Sequence, residues 1–109
     1  MEPISYQDFV KLELKVGEIK AIHEIPGADK LFRLEVDTGE PRELVAGIKG
    51  HYRAEDLVGR QIVVLTNLEP RKIRGVSSSG MLLAAHNGET GDVVLLGLEK
   101  PVPNGSMVS

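Results

Sequence analysis

The apolar alternation of the first strand changes phase partway along it. Leu12, Leu14 and Val16 alternate with Glu13 and Lys15, but beyond Gly17 the apolar positions become Ile19 and Ala21. Side chains on a strand point to opposite faces with a period of two, so a shift of one residue moves the whole apolar set to the other face. One extra residue near Gly17, as a glycine bulge, produces this shift. A strand bent in that way contributes to both sides of a closed barrel, which disfavours a flat open sheet.

The remaining pattern agrees with closure. Ser5 can cap a single helical turn over Tyr6 to Val10. Pro26-Gly27-Ala28-Asp29 marks a turn, and Phe32, Leu34 and Val36 then alternate with Arg33, Glu35 and Asp37 as a half-buried strand. Leu44, Ala46 and Ile48 continue the logic after Pro41. Between Arg53 and Gly59 the spacing is briefly helical, with Leu57 and Val58 on one side and Gly59 as the stop. Ile62 to Leu65 and Met81 to Ala85 are apolar strands, and Asn87-Gly88 forms a turn before Val93 to Leu96. Three strands, a short helix and two more strands, with a bulge in the first, is the order of an all-β, five-stranded OB-fold barrel. At 109 residues the chain is expected to be one domain over 1–109. The stretch from about 89 to 109 exceeds what such a barrel needs, and it either covers a sheet edge or forms a dimer contact.

Charge is concentrated where function is sought. From Leu57 to Gly88 the cations Arg60, Arg71, Lys72 and Arg74 face only one acid, Glu69, within a chain of net charge −3. Phosphate affinity follows local charge, so a basic ridge on an acidic protein binds nucleic acid selectively, where the ridge fits. A solvated connection between strands would carry the same residues. Other chemistries lack their parts. With no cysteine there is no disulfide, thiolate nucleophile or cysteine metal site. His23, His51 and His86 lie apart without ligand spacing. Gly75 and Gly80 bracket four residues, but Met81-Leu82 stands where a phosphate loop needs Lys and Ser or Thr. Ser77, Ser78 and Ser79 lack a nucleophile elbow. No catalytic residue, metal or cofactor is expected. No signal-peptide start or membrane-length apolar run is present, which suits a cytoplasmic protein without membrane contact.

Tyr6, Phe9, Phe32 and Tyr52 are the only rings, and Phe9 and Phe32 occupy core-like positions. Few platforms remain for stacked bases. A folded RNA read through shape, phosphates and 2′-hydroxyls is therefore the better-suited partner. Met81 is either core or a soft contact to an exposed base, with Ser79 one strand period earlier.

Asp8-Phe9 with Lys11, Val16-Gly17-Glu18-Ile19, Ala28-Asp29-Lys30-Leu31, Val45-Ala46-Gly47-Ile48, Asn67-Leu68 with Pro70, Lys72-Ile73-Arg74-Gly75 and Ser79-Gly80-Met81-Leu82-Leu83-Ala84-Ala85 together resemble the tRNA-binding domain family. That family includes the C-terminal domain or separate beta subunit of methionyl-tRNA synthetase and free-standing dimeric tRNA-binding proteins. The resemblance implies a non-catalytic OB-fold with terminal extensions that support homodimerisation. It implies binding to the folded L shape of tRNA, alone or beside the catalytic subunit of methionyl-tRNA synthetase. Carried over by position, Asn67 and Ser79 become polar contacts, Lys72 and Arg74 phosphate contacts, and Met81 an apolar contact, with Lys30, Lys49 and Arg71 as further candidates. The turn Ile25-Pro26-Gly27-Ala28-Asp29 departs from the His-Pro-Asn-Ala-Asp of many relatives. The ending, Gly91-Asp92-Val93-Val94 followed by Pro101-Val102-Pro103, is similar to a second branch of the family, an export chaperone that binds peptides. A peptide-binding module, with an apolar groove in place of a basic ridge, is thus the alternative.

Overall fold

In the computed structural model, which describes residues 1–109, strand β1 (Leu14–Glu24) pairs antiparallel with three others. On one side runs β2 (Phe32–Asp37), which pairs in turn with β3 (Pro41–Ala46); on the other runs β4 (Gln61–Leu65). A ribbon of β5 (Arg71–Ile73) and β6 (Val76–Ser78) follows, and β7 (Met81–Leu82) then pairs with β4. Closure comes where the chain between β6 and β7 meets β3. The Ser79 amide donates to the Glu43 carbonyl at 2.8 Å, and the buried Ser78 Oγ accepts from the Val45 amide at 3.1 Å. A nearly closed, five-strand antiparallel barrel results, with a short helix between its third and fourth strands, as the order of elements predicts.

Why these segments are strands is visible in what they bury. Phe32, Leu34 and Val36 on β2 face inward while Glu35 points to solvent. They meet Ile19, Leu44, Ala46, Ile48, Ile62 and Val64, all buried in one cluster. Two short helices flank the barrel. In α1 (Tyr6–Phe9) the Ser5 hydroxyl accepts the Asp8 amide at 3.0 Å, and α2 (Ala54–Leu57) sends the fully buried Leu57 into the core. Phe9 remains half-buried, outside the core expected of it.

The expected bulge at Gly17 is absent: residues 14–18 pair with β4 in unbroken register, and the apparent change of phase arises because Val16 points away from the barrel cluster and Ile19 into it. The bulge of β1 comes later, after which Ile22 is the residue that packs on the core. Pairing with β2 slips between Ile19 and Ala21, so Lys20 is the extra residue, while Gly17 sits opposite Ile62 in regular register. Gly17 is required by proximity: a Cβ there would lie 2.6 Å from Val36 Cγ1 and 2.9 Å from Thr38 Cγ2. Both faces of β1 are buried near its start, which is why Val16 and Gly17 are adjacent and both inaccessible. Val16 lies opposite Val63, also buried, outside the barrel cluster.

The C-terminal stretch takes up the edge of β1 left free by β2. Where one strand was expected from Met81 to Ala85, the chain changes partner at Leu83, leaving β4 so that β8 (Ala84–His86) pairs with β9 (Val93–Leu95). Leu95 enters the core, and Gly97 bridges to Ile62. The Val16 amide donates to the Ser106 carbonyl at 2.9 Å, and the Gly105 amide to the Val16 carbonyl at 2.7 Å. Finally β10 (Met107–Val108) pairs with Leu14 and Lys15, taking up the edge of β1 that β2 does not reach. Of the two roles open to the segment from 89 onward, covering a sheet edge is the one visible within a single chain.

Candidate nucleic-acid interface

The basic segment is a projecting hairpin. Its sequence reads as an irregular crossing, yet Arg71 pairs with Ser78, Lys72 with Ser77 and Ile73 with Val76, leaving Arg74 and Gly75 as a two-residue turn. Both turn residues adopt left-handed backbones, with φ of 53° for Arg74 and 80° for Gly75. Hairpin turns of this hand favour Asn-Gly, because a Cβ is penalised there by about 1 kcal/mol. Arginine at the tip gives up that preference and gains a charge at the most exposed point of the ribbon.

The twofold strand period distributes the cations. Arg71 and Ile73 share one face, which borders an apolar groove, and Lys72 takes the other beside Ser77. Arg74 shares a small cleft with Lys30, Asp29 and the turn at Gly27 and Ala28, Asp29 making no ion pair with either cation. No carboxylate lies within ion-pair distance of Lys30, Arg71, Lys72 or Arg74, whereas Lys11, Lys15, Lys20, Arg33, Arg42, Lys49 and Arg53 each have one. Arg60 and Lys100 also lack one, but they line a cleft apart from the arm, and Arg60 donates to the Asp56 carbonyl and lies over the Tyr52 ring. Lys49 is bound to Glu24 at 3.0 Å and lines a separate cleft with His51 and Tyr52. It does not join the arm.

The other expected contacts separate in the same way. Asn67 is exposed, but its amide is engaged at both ends: Nδ2 donates to the Lys11 carbonyl at 2.7 Å and Oδ1 accepts from the Glu13 amide at 2.9 Å. It ties the segment after α1 to the end of β4. Ser79 uses its backbone amide and carbonyl to close the barrel and leaves its hydroxyl without a protein partner. Met81 is 43% exposed at the rim of the groove, a cavity of about 600 Å³ lined chiefly by Leu31, Val45, Ile73, Leu83 and Leu96.

Two residues that hold the arm escaped the sequence reading. Ser78, buried, donates from Oγ to the Gly80 carbonyl at 3.1 Å while accepting from Val45. Arg42 donates to the carbonyls of Thr66 and Ser79. Its signal was available, since Arg42 has the inward phase of Leu44 and Ala46, and a cation in an apolar phase needs internal acceptors. Beneath the arm, Thr66 Oγ1 donates to the Glu13 carboxylate at 2.8 Å, which with Lys15 lowers the Glu13 pKa. The Asn104 amide, then Lys20, lower that of Glu18. His23 meets the Glu35 carboxylate, and His51 Nδ1 accepts the Val93 amide at 3.3 Å.

Residues 14–107, from the first strand through the start of β10, match the family model described as "Putative tRNA binding domain". The chain belongs to the tRNA-binding domain family. Across 109 residues it is 48% identical to the methionine–tRNA ligase of Thermococcus kodakarensis, covering 99% of this chain and 14% of that enzyme. It is 54% identical over 102 residues to that of Methanothrix thermoacetophila, covering 94% of this chain and 15% of the enzyme. The tRNA-binding domain thus spans about one-seventh of the length of the curated relatives it matches. Among solved structures it superposes on a protein related to methionyl-tRNA synthetase from Pyrococcus horikoshii with a TM-score of 0.93 and 37% identity, each chain covered completely. Against the chaperone CsaA of Bacillus anthracis the TM-score is 0.88 and the identity 34%, covering 99% of this chain and 100% of that one. The domain is a binding module and not a catalytic unit.

Proposed function

We propose that this tRNA-binding domain recognises the folded shape of tRNA through its β5–β6 arm, acting alone or as an accessory part of methionyl-tRNA synthetase. The observation that carries the reading is that four of the six cations without a carboxylate partner, Lys30, Arg71, Lys72 and Arg74, lie on and beside one ribbon of an acidic protein, while the other two, Arg60 and Lys100, line a separate cleft. Paired cations have already spent much of their field on a neighbour; unpaired ones can exchange counterions for phosphates. The Ser79 hydroxyl adds a polar contact, and Met81 an apolar one for a base or ribose edge. Asn67 acts chiefly through the fold. Beside a catalytic subunit in the cytoplasm, such a module raises the local concentration of tRNA and makes no bond itself.

Residues 1–109 act as one domain, and its 89–109 extension has a second use. Ile4, Tyr6 and Val10 near one terminus, and Val102 and Met107 near the other, are exposed apolar side chains, and β10 brings the terminal segments to the same strand. A symmetric homodimer would bury such residues. A monomer mass by light scattering at micromolar concentration would dispose of it.

The apolar groove supports a second reading, an extended peptide held as in a chaperone, and two solved neighbours are described as chaperones. Equilibrium binding of bulk tRNA, single-stranded DNA of matched length and an unfolded peptide, each at two salt concentrations, separates the readings. Salt-sensitive preference for tRNA is the expected result. Preference for the peptide with little salt dependence would replace the RNA reading with the second.

A further inference from the structure

The arm leaves the barrel after Thr66 and rejoins it at Ser79, and a single side chain holds both points. Arg42 Nη1 donates to the Thr66 carbonyl at 3.1 Å and to the Ser79 carbonyl at 2.7 Å. From its other side, Nε donates to Thr38 Oγ1 at 3.3 Å and Nη2 to the Glu40 carboxylate at 2.9 Å. The guanidinium is planar and its donors have fixed directions, so four acceptors on one group define its orientation and, through it, the spacing of the two stems. The side chain is only 13% exposed, and Glu40 balances its charge. A ribbon with strands of three residues each has little stability of its own, so its direction must be set where it joins the body.

Resting on the tRNA reading of the arm, we propose that Arg42 is a positioning residue for tRNA binding. It fixes the angle at which the ribbon presents Arg71, Lys72 and Arg74, without touching the RNA. Its contribution is pre-organisation: an arm free to swing must be ordered when tRNA binds, and that cost is subtracted from affinity.

The test uses the full chain with Arg42→Met and the milder Arg42→Lys. Binding of bulk tRNA is measured across a salt series, and amide hydrogen exchange is followed in the free proteins. Arg42→Met should weaken tRNA binding about tenfold, the equivalent of ordering roughly one further backbone residue. Its salt slope should match wild type, and exchange should quicken at residues 71–78 but not in β1 or β4. Arg42→Lys, which keeps the charge but loses the fork, should fall between. Unchanged affinity would overturn the proposal, as would a slope reduced by about one unit, the mark of a lost phosphate contact. Faster exchange throughout the barrel would overturn it too, by reducing Arg42 to a general stabiliser. Should wild type show no salt-sensitive tRNA binding, the reading of the arm fails first. Exchange in the variants then still decides whether Arg42 orders the ribbon.

Discussion

Counting uncompensated charges predicts how steeply tRNA binding depends on salt. Each phosphate neutralised by Lys or Arg contributes a slope of about −0.9 to a plot of log affinity against log salt. If Lys30, Arg71, Lys72 and Arg74 each meet a phosphate, the slope is about −3.6, and affinity falls roughly 150-fold between about 50 and 200 mM salt. Lys72→Ala should bring the slope to about −2.7 and the fall to roughly 40-fold. Arg74→Ala should do the same. Arg53→Ala is the control: Arg53 is 73% exposed, but it is bound to Glu55 at 3.0 Å and Asp56 at 3.5 Å, so its removal should leave the slope unchanged. The assay is a titration of bulk tRNA at five or so salt concentrations for each variant, with circular dichroism to establish that the fold is intact. Equal changes of slope in Lys72→Ala and Arg53→Ala would refute the reasoning, because binding would then follow total charge and not the arm.

Three further outcomes are expected. Gly17→Ala pushes a methyl against Val36 and Thr38; overpacking of about 1–3 kcal/mol outweighs the gain of roughly 0.5–1 from a stiffer unfolded chain, so urea melts should show a lower midpoint at constant slope. Asn67→Ala removes two hydrogen bonds that join the end of β4 to residues 11 and 13 and should cost about 1–3 kcal/mol in the same melts; undiminished stability would mean that its amide serves the ligand instead. Glu13 and Glu18 ionise below the ordinary value of 4.5, so they add stability above that value which is lost as pH falls through their folded pKa values. Thermal midpoints should therefore decline on acidification below about 4.5, and less steeply in Glu18→Gln; parallel acid limbs for variant and wild type would exclude this role for Glu18.

Much of the barrel was legible because burial leaves a simple periodic mark. Phe32, Leu34 and Val36 alternate for the physical reason that one face of β2 meets the core and the other meets water. Around Gly17 the same logic read two buried faces as a change of face and placed a bulge there, while the bulge of β1 lies at Lys20. A bulge and a close approach both select small or unusual positions, and only the register against Val36 and Ile62 separates them. Ile62, within the unbroken apolar run to Leu65, bridges to Gly97, a contact between residues distant in sequence that no local period encodes. At the interface, charge marked Arg71, Lys72 and Arg74, but it could not distinguish them from Lys49, whose partner Glu24 lies 25 positions earlier. Arg74-Gly75 hid the hairpin because arginine is an uncommon choice for its turn.

The pairing of Leu14 with Val108 has a consequence for synthesis on the ribosome. Within this domain part of the hydrogen-bonding edge of β1 waits for residues that are made more than ninety positions later. At translation rates of about 5–20 residues per second, that edge is open for roughly 5–20 s, with Val16 and Val63 uncovered beside it. Completion of the barrel edge is therefore timed by β10. A domain that lacks β10 would be a nearly finished barrel with an adhesive strand exposed, a species prone to aggregate.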